Sequence, residues 1–167
     1  MYSHRALTCT LVMALSAGRA FAQTPGIYGF QNIETRFAVR LAVEGAATRL
    51  ARPDCQEIFA DFEDESGQRL STKLATSGKS PLDAFGALRF LDYRGAGLCR
   101  RGGMLAFTRT GSWSIRVCAE QFRRSFQLDR TGTEIVVIHE FLHALGLGEN
   151  PPTSDAITER VRVRCGD

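Results

Sequence analysis

The chain has 167 residues, of which 21 are Lys or Arg and 18 Asp or Glu, giving a net charge of +3. So slight an excess gives no electrostatic case for nucleic acid or for an anionic membrane surface as partner. The length suits a single domain with a modest core.

The N-terminus reads as an export signal. His4 and Arg5 supply a short positive region, Ala6 to Gly18 is apolar, and Ala20-Phe21-Ala22 offers a small-x-small cleavage site. The apolar stretch is shorter than the roughly 20 residues a permanent anchor needs. Cys9 lies inside it rather than at the cleavage point, which argues against a lipoprotein. Residues 1–22 are therefore expected to be a cleaved signal peptide, and residues 23–167 one secreted or periplasmic domain with no membrane attachment. Cleavage also removes Arg5 and Arg19, leaving acidic and basic residues almost balanced.

Four cysteines follow the signal: Cys55, Cys99, Cys118 and Cys165. An even number in an exported chain points to disulfides. None are close enough in sequence for a zinc ribbon. Cys99 and Cys118 flank an expected hairpin and are paired here for that reason, which leaves Cys55 for Cys165.

Taken in order, Glu34 to Ala51 has helical spacing, with Phe37, Leu41, Val43, Ala47 and Leu50 on one face and Pro53 beyond its end. The stretch "EIFADFED" alternates as a strand would, with Ile58, Ala60 and Phe62 on one side. A short helix is expected at Arg69–Thr76. Ser80, Pro81 and Asp83 mark another helix start. A strand should follow at Leu88–Tyr93, then a hairpin with strands at Met104–Arg109 and Ser112–Cys118 around Thr110-Gly111. A loop should lead to Thr131, whose spacing to Glu134 fits a capping box. The last long helix should run from Gly132 to Leu145 and end at Gly146. These elements make an α+β domain with a mixed, largely antiparallel sheet, an N-terminal helix and a late helix.

That late helix carries the chemistry. In "EIVVIHEFLHALGLGENPPTS", residues 134–154, His139 and His143 are four apart and project from one face. Both imidazoles can then reach a single ion, with Glu140 beside the first of them and free to handle a proton. Ile135, Val136, Ile138, Phe141, Leu142 and Leu145 give the pair an apolar setting, where unpaired ionisable groups cost several kcal/mol and a bound metal removes the penalty. After residue 22 there is no other histidine.

The segment "HEFLHALGLGE" resembles the zincin zinc peptidases, and more narrowly the metzincin pattern H-E-x-x-H-x-x-G-x-x-H. His139, Glu140, His143 and Gly146 match it position by position. In that family the glycine lets the chain return a third ligand, a position that falls here on Glu149 in place of the usual His or Asp. The metzincin methionine turn has no counterpart, because the last methionine is Met104. Gluzincins instead take a glutamate from a later helix, which makes Glu159 the alternative third ligand; Asp155 or water are the remaining options.

The resemblance implies a compact zincin-like metallopeptidase domain over residues 23–167 with Zn2+ held by His139, His143 and Glu149. It implies hydrolysis of peptide bonds in a peptide or protein substrate by a metal-activated water, with Glu140 as general base. Zincins often add a His or Tyr that steadies the oxyanion, and Tyr93 is the candidate here. The hairpin over residues 104–118 offers an edge for an extended substrate. A monomer is expected. Two other readings stay open: an amide hydrolase acting on cell-wall peptides, and a non-enzymatic zinc-binding domain that keeps the zincin shape.

Overall fold

The computed structural model describes residues 23–93, 97–100 and 102–166. The expected signal peptide lies outside the described residues. In chain order the elements are β1 (Gly26–Tyr28), α1 (Ile33–Leu50), α2 (Pro53–Gln56), α3 (Ile58–Asp61), α4 (Leu70–Thr76), α5 (Pro81–Gly86), β2 (Arg89–Asp92), β3 (Ala106–Thr108), β4 (Ser114–Val117), α6 (Ala119–Leu128), α7 (Arg130–Ala144) and α8 (Ser154–Cys165).

The sheet is mixed, with strand order β1-β2-β4-β3. Only β3 and β4, the expected hairpin, run antiparallel, with Ala106 opposite Val117 and Thr108 opposite Ile115. The β1–β2 and β2–β4 pairings are parallel, so the sheet is not largely antiparallel. The reason is connectivity. β1 is separated from β2 by five helices, and crossovers of that length let strands return in the same direction. β3 is left as an outer strand.

Helix α7 lies at the centre of the core. Its apolar residues surround it, and such a helix must be covered on every side. It packs against α1, α6 and α8 on its helical flanks and against β3 and β4 on the sheet. Phe141 meets Phe59 and Phe85 edge-on, at centroid distances of 5.8 and 5.3 Å.

Four local expectations are corrected. "EIFADFED" supplies helix α3 rather than a strand; Ile58 and Phe59 are both buried, which alternation would forbid. The segment before Thr131 contains α6, whose Phe122 is buried against the core. Helix α7 is capped by Asp129, which accepts from the Gly132 amide, and not by Thr131. Glu134 is drawn away from any capping box into a buried pair with Arg49 at 2.7 Å, and it also meets Arg130 at 2.9 Å. On α1 the core face is Ala38, Val39, Ala42, Val43, Ala46 and Leu50, and Phe37 is 57% exposed. Elsewhere the signals hold. Ser80 and Asp83 form a reciprocal capping box at α5.

Both disulfides join the expected partners, Cys99 with Cys118 and Cys55 with Cys165, the latter across 110 residues of chain. Two such bonds indicate oxidising surroundings for the folded chain. Among the described residues no helix is long and apolar enough to cross a membrane.

Candidate metal centre

Helix α7 ends in a way that builds the site. Gly146, at φ +111°, breaks the helix. Its amide bonds to the His143 carbonyl at 3.0 Å, and the Leu147 amide reaches back to the Leu142 carbonyl at 3.1 Å. Those two bonds are a Schellman termination, which satisfies helix-end carbonyls that otherwise have no partner. The turn also aims the Leu147 carbonyl back at the helix, where it accepts a hydrogen bond from His143 Nδ1 at 2.7 Å.

The turn is held from outside as well. Asp64 accepts from the Ser66 and Gln68 amides, the Ser66 hydroxyl and Lys73 Nζ, and the Glu65 amide donates to the Gly146 carbonyl at 3.2 Å. The Lys73 ammonium, followed by Ser66, holds the Asp64 carboxyl well below the usual carboxylate range. A side chain at Gly146 would meet Lys73 and Asp64, and one at Gly148 would meet Glu65, so this loop packs against both glycines. On the other side the hairpin turn bonds through the Gly111 amide to the His143 carbonyl at 2.8 Å.

The result brings His139, His143 and Glu149 together, with one ligand atom from each within 4.8 Å of the others. The Nε2 atoms of the two histidines are 2.9 Å apart. Glu149 Oε1 lies 3.2 Å from His143 Nε2 and 3.6 Å from His139 Nε2. Both histidines are buried while Glu149 stays open to solvent. Glu159 is not part of the cluster; it is exposed on α8 and pairs with Arg162 at 3.2 Å. Asp155 does not join it either.

The donor chemistry suits a divalent cation. A carbonyl can only accept, so His143 Nδ1 must carry the proton and its Nε2 is a bare lone pair facing the other imidazole. A carboxylate oxygen sits beside both. Two imidazole nitrogens and a carboxylate make a recognised ligand set, reachable from one ion at about 2.0–2.2 Å. Burial, and after it the neighbouring His143, pushes His139 down to about 4, so its imidazole is neutral and able to ligate at ordinary pH.

Glu140 is buried next to the cluster, and its Oε2 finds no hydrogen-bond partner among the described residues. Burial pushes its carboxyl up to about 7, against the opposing pull of His143 and the Thr108 hydroxyl. A buried carboxylate oxygen left without a partner is costly. It faces a cavity of about 450 Å³ bounded by Met104, Phe107 and Thr108 from the β3 side and by Ser154 at the start of α8. A neighbouring hollow of about 370 Å³ continues past His139 between Leu105, Val136 and Thr158. The cleft thus runs along the outer strand β3.

Tyr93 is not brought to this cleft. Its ring packs edge-on to Phe107 at 5.0 Å, and it lines a separate cavity of about 440 Å³ with Asn32 and Glu120. Sequence reasoning missed Thr158, whose Oγ1 lies 3.0 Å from His139 Nδ1, and the Leu147 carbonyl. The second had a signal, because a glycine ending α7 turns the next carbonyls back toward it. The first had none, since its partner is on another helix. Compared with known proteins, the chain matches no family model, no curated protein and no solved structure.

Proposed function

We propose that this chain is an exported zinc-dependent peptidase of the zincin type, hydrolysing peptide bonds in the cleft between α7 and β3. The observation that carries the reading is the convergence of His139, His143 and Glu149 beside a buried Glu140 whose Oε2 has no hydrogen-bond partner. Zinc is the preferred ion because two imidazoles with one carboxylate leave a position open, the arrangement of catalytic rather than structural sites. A bound zinc ion would supply Lewis-acid polarisation of the substrate carbonyl and would acidify water.

The chain's own residues supply the rest. The outer strand β3 offers backbone groups to an extended peptide, which would lie across the mouth of the cleft. Glu140, buried beside the ligands, takes the proton from the attacking water and returns it to the leaving amine. The two disulfides fit an exported enzyme.

The test compares the wild-type protein with Glu140→Gln, both loaded with zinc, against mixed protein and cell-wall peptide substrates. Cleavage of protein by wild type, lost in a Glu140→Gln variant that still binds zinc, is the expected result. Cleavage confined to cell-wall peptides would move the reading to an amide hydrolase. No cleavage by either form across these substrates would leave a metal-binding domain without catalysis and overturn the peptidase.

A further inference from the structure

The two histidines are oriented in different ways. His143 is fixed by a main-chain carbonyl, that of Leu147, which no substitution removes. His139 is held through a side chain on a different helix, Thr158 of α8, at 3.0 Å from Nδ1.

Threonine inside a helix has a usual habit, which is to turn its hydroxyl to the carbonyl four residues back. Thr48, Thr76 and Thr133 all do so, at 2.9, 2.9 and 2.8 Å. The Thr158 hydroxyl is instead hydrogen-bonded across to His139 Nδ1. A hydroxyl accepts as readily as it donates, so it can serve an Nδ1 that must carry a proton whenever Nε2 gives its lone pair to a cation.

The helix that presents Thr158 is held firmly. Its buried residues Ile157 and Val161 pack into the core, and Cys165 is tied to Cys55. Arg49 donates to the Cys165 and Gly166 carbonyls at 2.7 Å each, and Arg52 to the Cys165 carbonyl at 2.6 Å. Arg164 forms a two-pronged bond to Asp61 at 2.8 and 2.9 Å. So many ties at one end of a helix of 12 residues make it a strut, with Thr158 about 10 Å from the disulfide end at 1.5 Å per residue.

We propose that Thr158 is the positioning residue of the metal centre: its hydroxyl, presented by the anchored helix α8, fixes the ring of His139 so that Nε2 faces the ion. This rests on the metal-centre reading above. Loss of such an outer partner weakens metal binding because the ligand ring must then be ordered by the ion itself.

The test is competition for Zn2+ between a chromophoric chelator and the wild-type protein, Thr158→Val and Thr158→Ser, with thermal unfolding of each metal-free form alongside. Valine keeps the shape and removes the hydroxyl, and serine restores the hydroxyl. The expected result is a loss of about 10–100-fold in Zn2+ affinity for Thr158→Val, with Thr158→Ser within about threefold of wild type. Measured well below every metal-free midpoint, where all three forms are folded, the affinity loss should remain confined to Thr158→Val, which a merely structural role of the hydroxyl would not give. Equal affinity of wild type and Thr158→Val, or equal weakness of both variants, would overturn the positioning role. A wild-type protein that binds no Zn2+ would instead overturn the metal centre itself, a separate and recognisable outcome.

Discussion

His139 and His143 hold their Nε2 atoms 2.9 Å apart, and His143 has already committed its Nδ1 proton to the Leu147 carbonyl. Only a proton or a cation can lie between two imidazole nitrogens so placed, because two bare lone pairs would repel. Glu149 approaches both nitrogens, which supplies the third donor atom that a cation there would need.

Zinc affinity should therefore depend on three side chains and be indifferent to a fourth. His139→Ala/His143→Ala should abolish binding, and Glu149→Ala should weaken it by more than the roughly 10–100-fold typical of outer partners. Glu159→Ala should leave it unchanged, because that carboxylate is occupied by Arg162 on the surface. Calorimetric titration with Zn2+ checks all of these, and retention of zinc by the double histidine variant would remove the assignment.

The turn after α7 makes a second point measurable. Gly146 sits at φ +111°, a conformation that L side chains rarely adopt, and an added Cβ would lie 3.2 Å from that of Asp64. Gly146→Ala should cost about 1–3 kcal/mol in urea unfolding. Because Leu147 and Glu149 follow directly, zinc binding should also weaken in this variant. If the same substitution were silent in both assays, the turn would not be what places Glu149.

How much of this was legible beforehand follows from the range of each interaction. His139, Glu140, His143 and the stop at Gly146 were readable because they are local, fixed by helical spacing and by one permissive residue. Glu149 was legible as a position three residues beyond that glycine; Glu159, only sixteen residues after His143, was the weaker alternative by spacing, and the structure leaves it on the surface beside Arg162. Ile58, Ala60 and Phe62 misled because a short apolar alternation looks alike in a strand and in a single helical turn. The parallel pairing of β1 with β2 and the reach of Thr158 to His139 depend on chain separated in sequence, and no local pattern encodes them. Glu134 shows the same limit. Its spacing from Thr131 suggested a cap, and the deciding partner was Arg49, on α1.

That pair gives a further prediction. Glu134 and Arg49 meet at 2.7 Å with side-chain exposures of 6% and 16%, and Gly45 lies beneath the carboxylate with no room for a side chain. Removing one partner of a buried pair strands the other, at a cost of about 3–5 kcal/mol. Glu134→Ala should lose stability on that scale by urea unfolding, softened where Arg49 keeps its bonds to the Cys165 and Gly166 carbonyls. A change below about 0.5 kcal/mol would mean that solvent already screens the pair.

The tie between α8 and α3 should show in the pH dependence of stability. The Arg164 guanidinium hydrogen-bonded to Asp61 holds that carboxyl below its unperturbed 3.8, against a smaller opposing effect of burial. A lowered acid is bound to fewer protons when folded, so its contribution is full above the unfolded value and disappears as pH falls through the folded one. Both side chains are partly solvated, which limits the contribution to about 1 kcal/mol. At neutral pH Asp61→Asn should therefore be less stable than wild type by up to about 1 kcal/mol, because a neutral amide keeps part of the hydrogen bonding and none of the charge. The gap should close in acid, once wild-type Asp61 is itself protonated, and it should narrow in high salt at neutral pH. Urea unfolding of the two proteins across that pH range checks the sign: a gap that stayed constant into acid would mean that the amide substitution disturbs packing and that the ion pair with Arg164 contributes nothing.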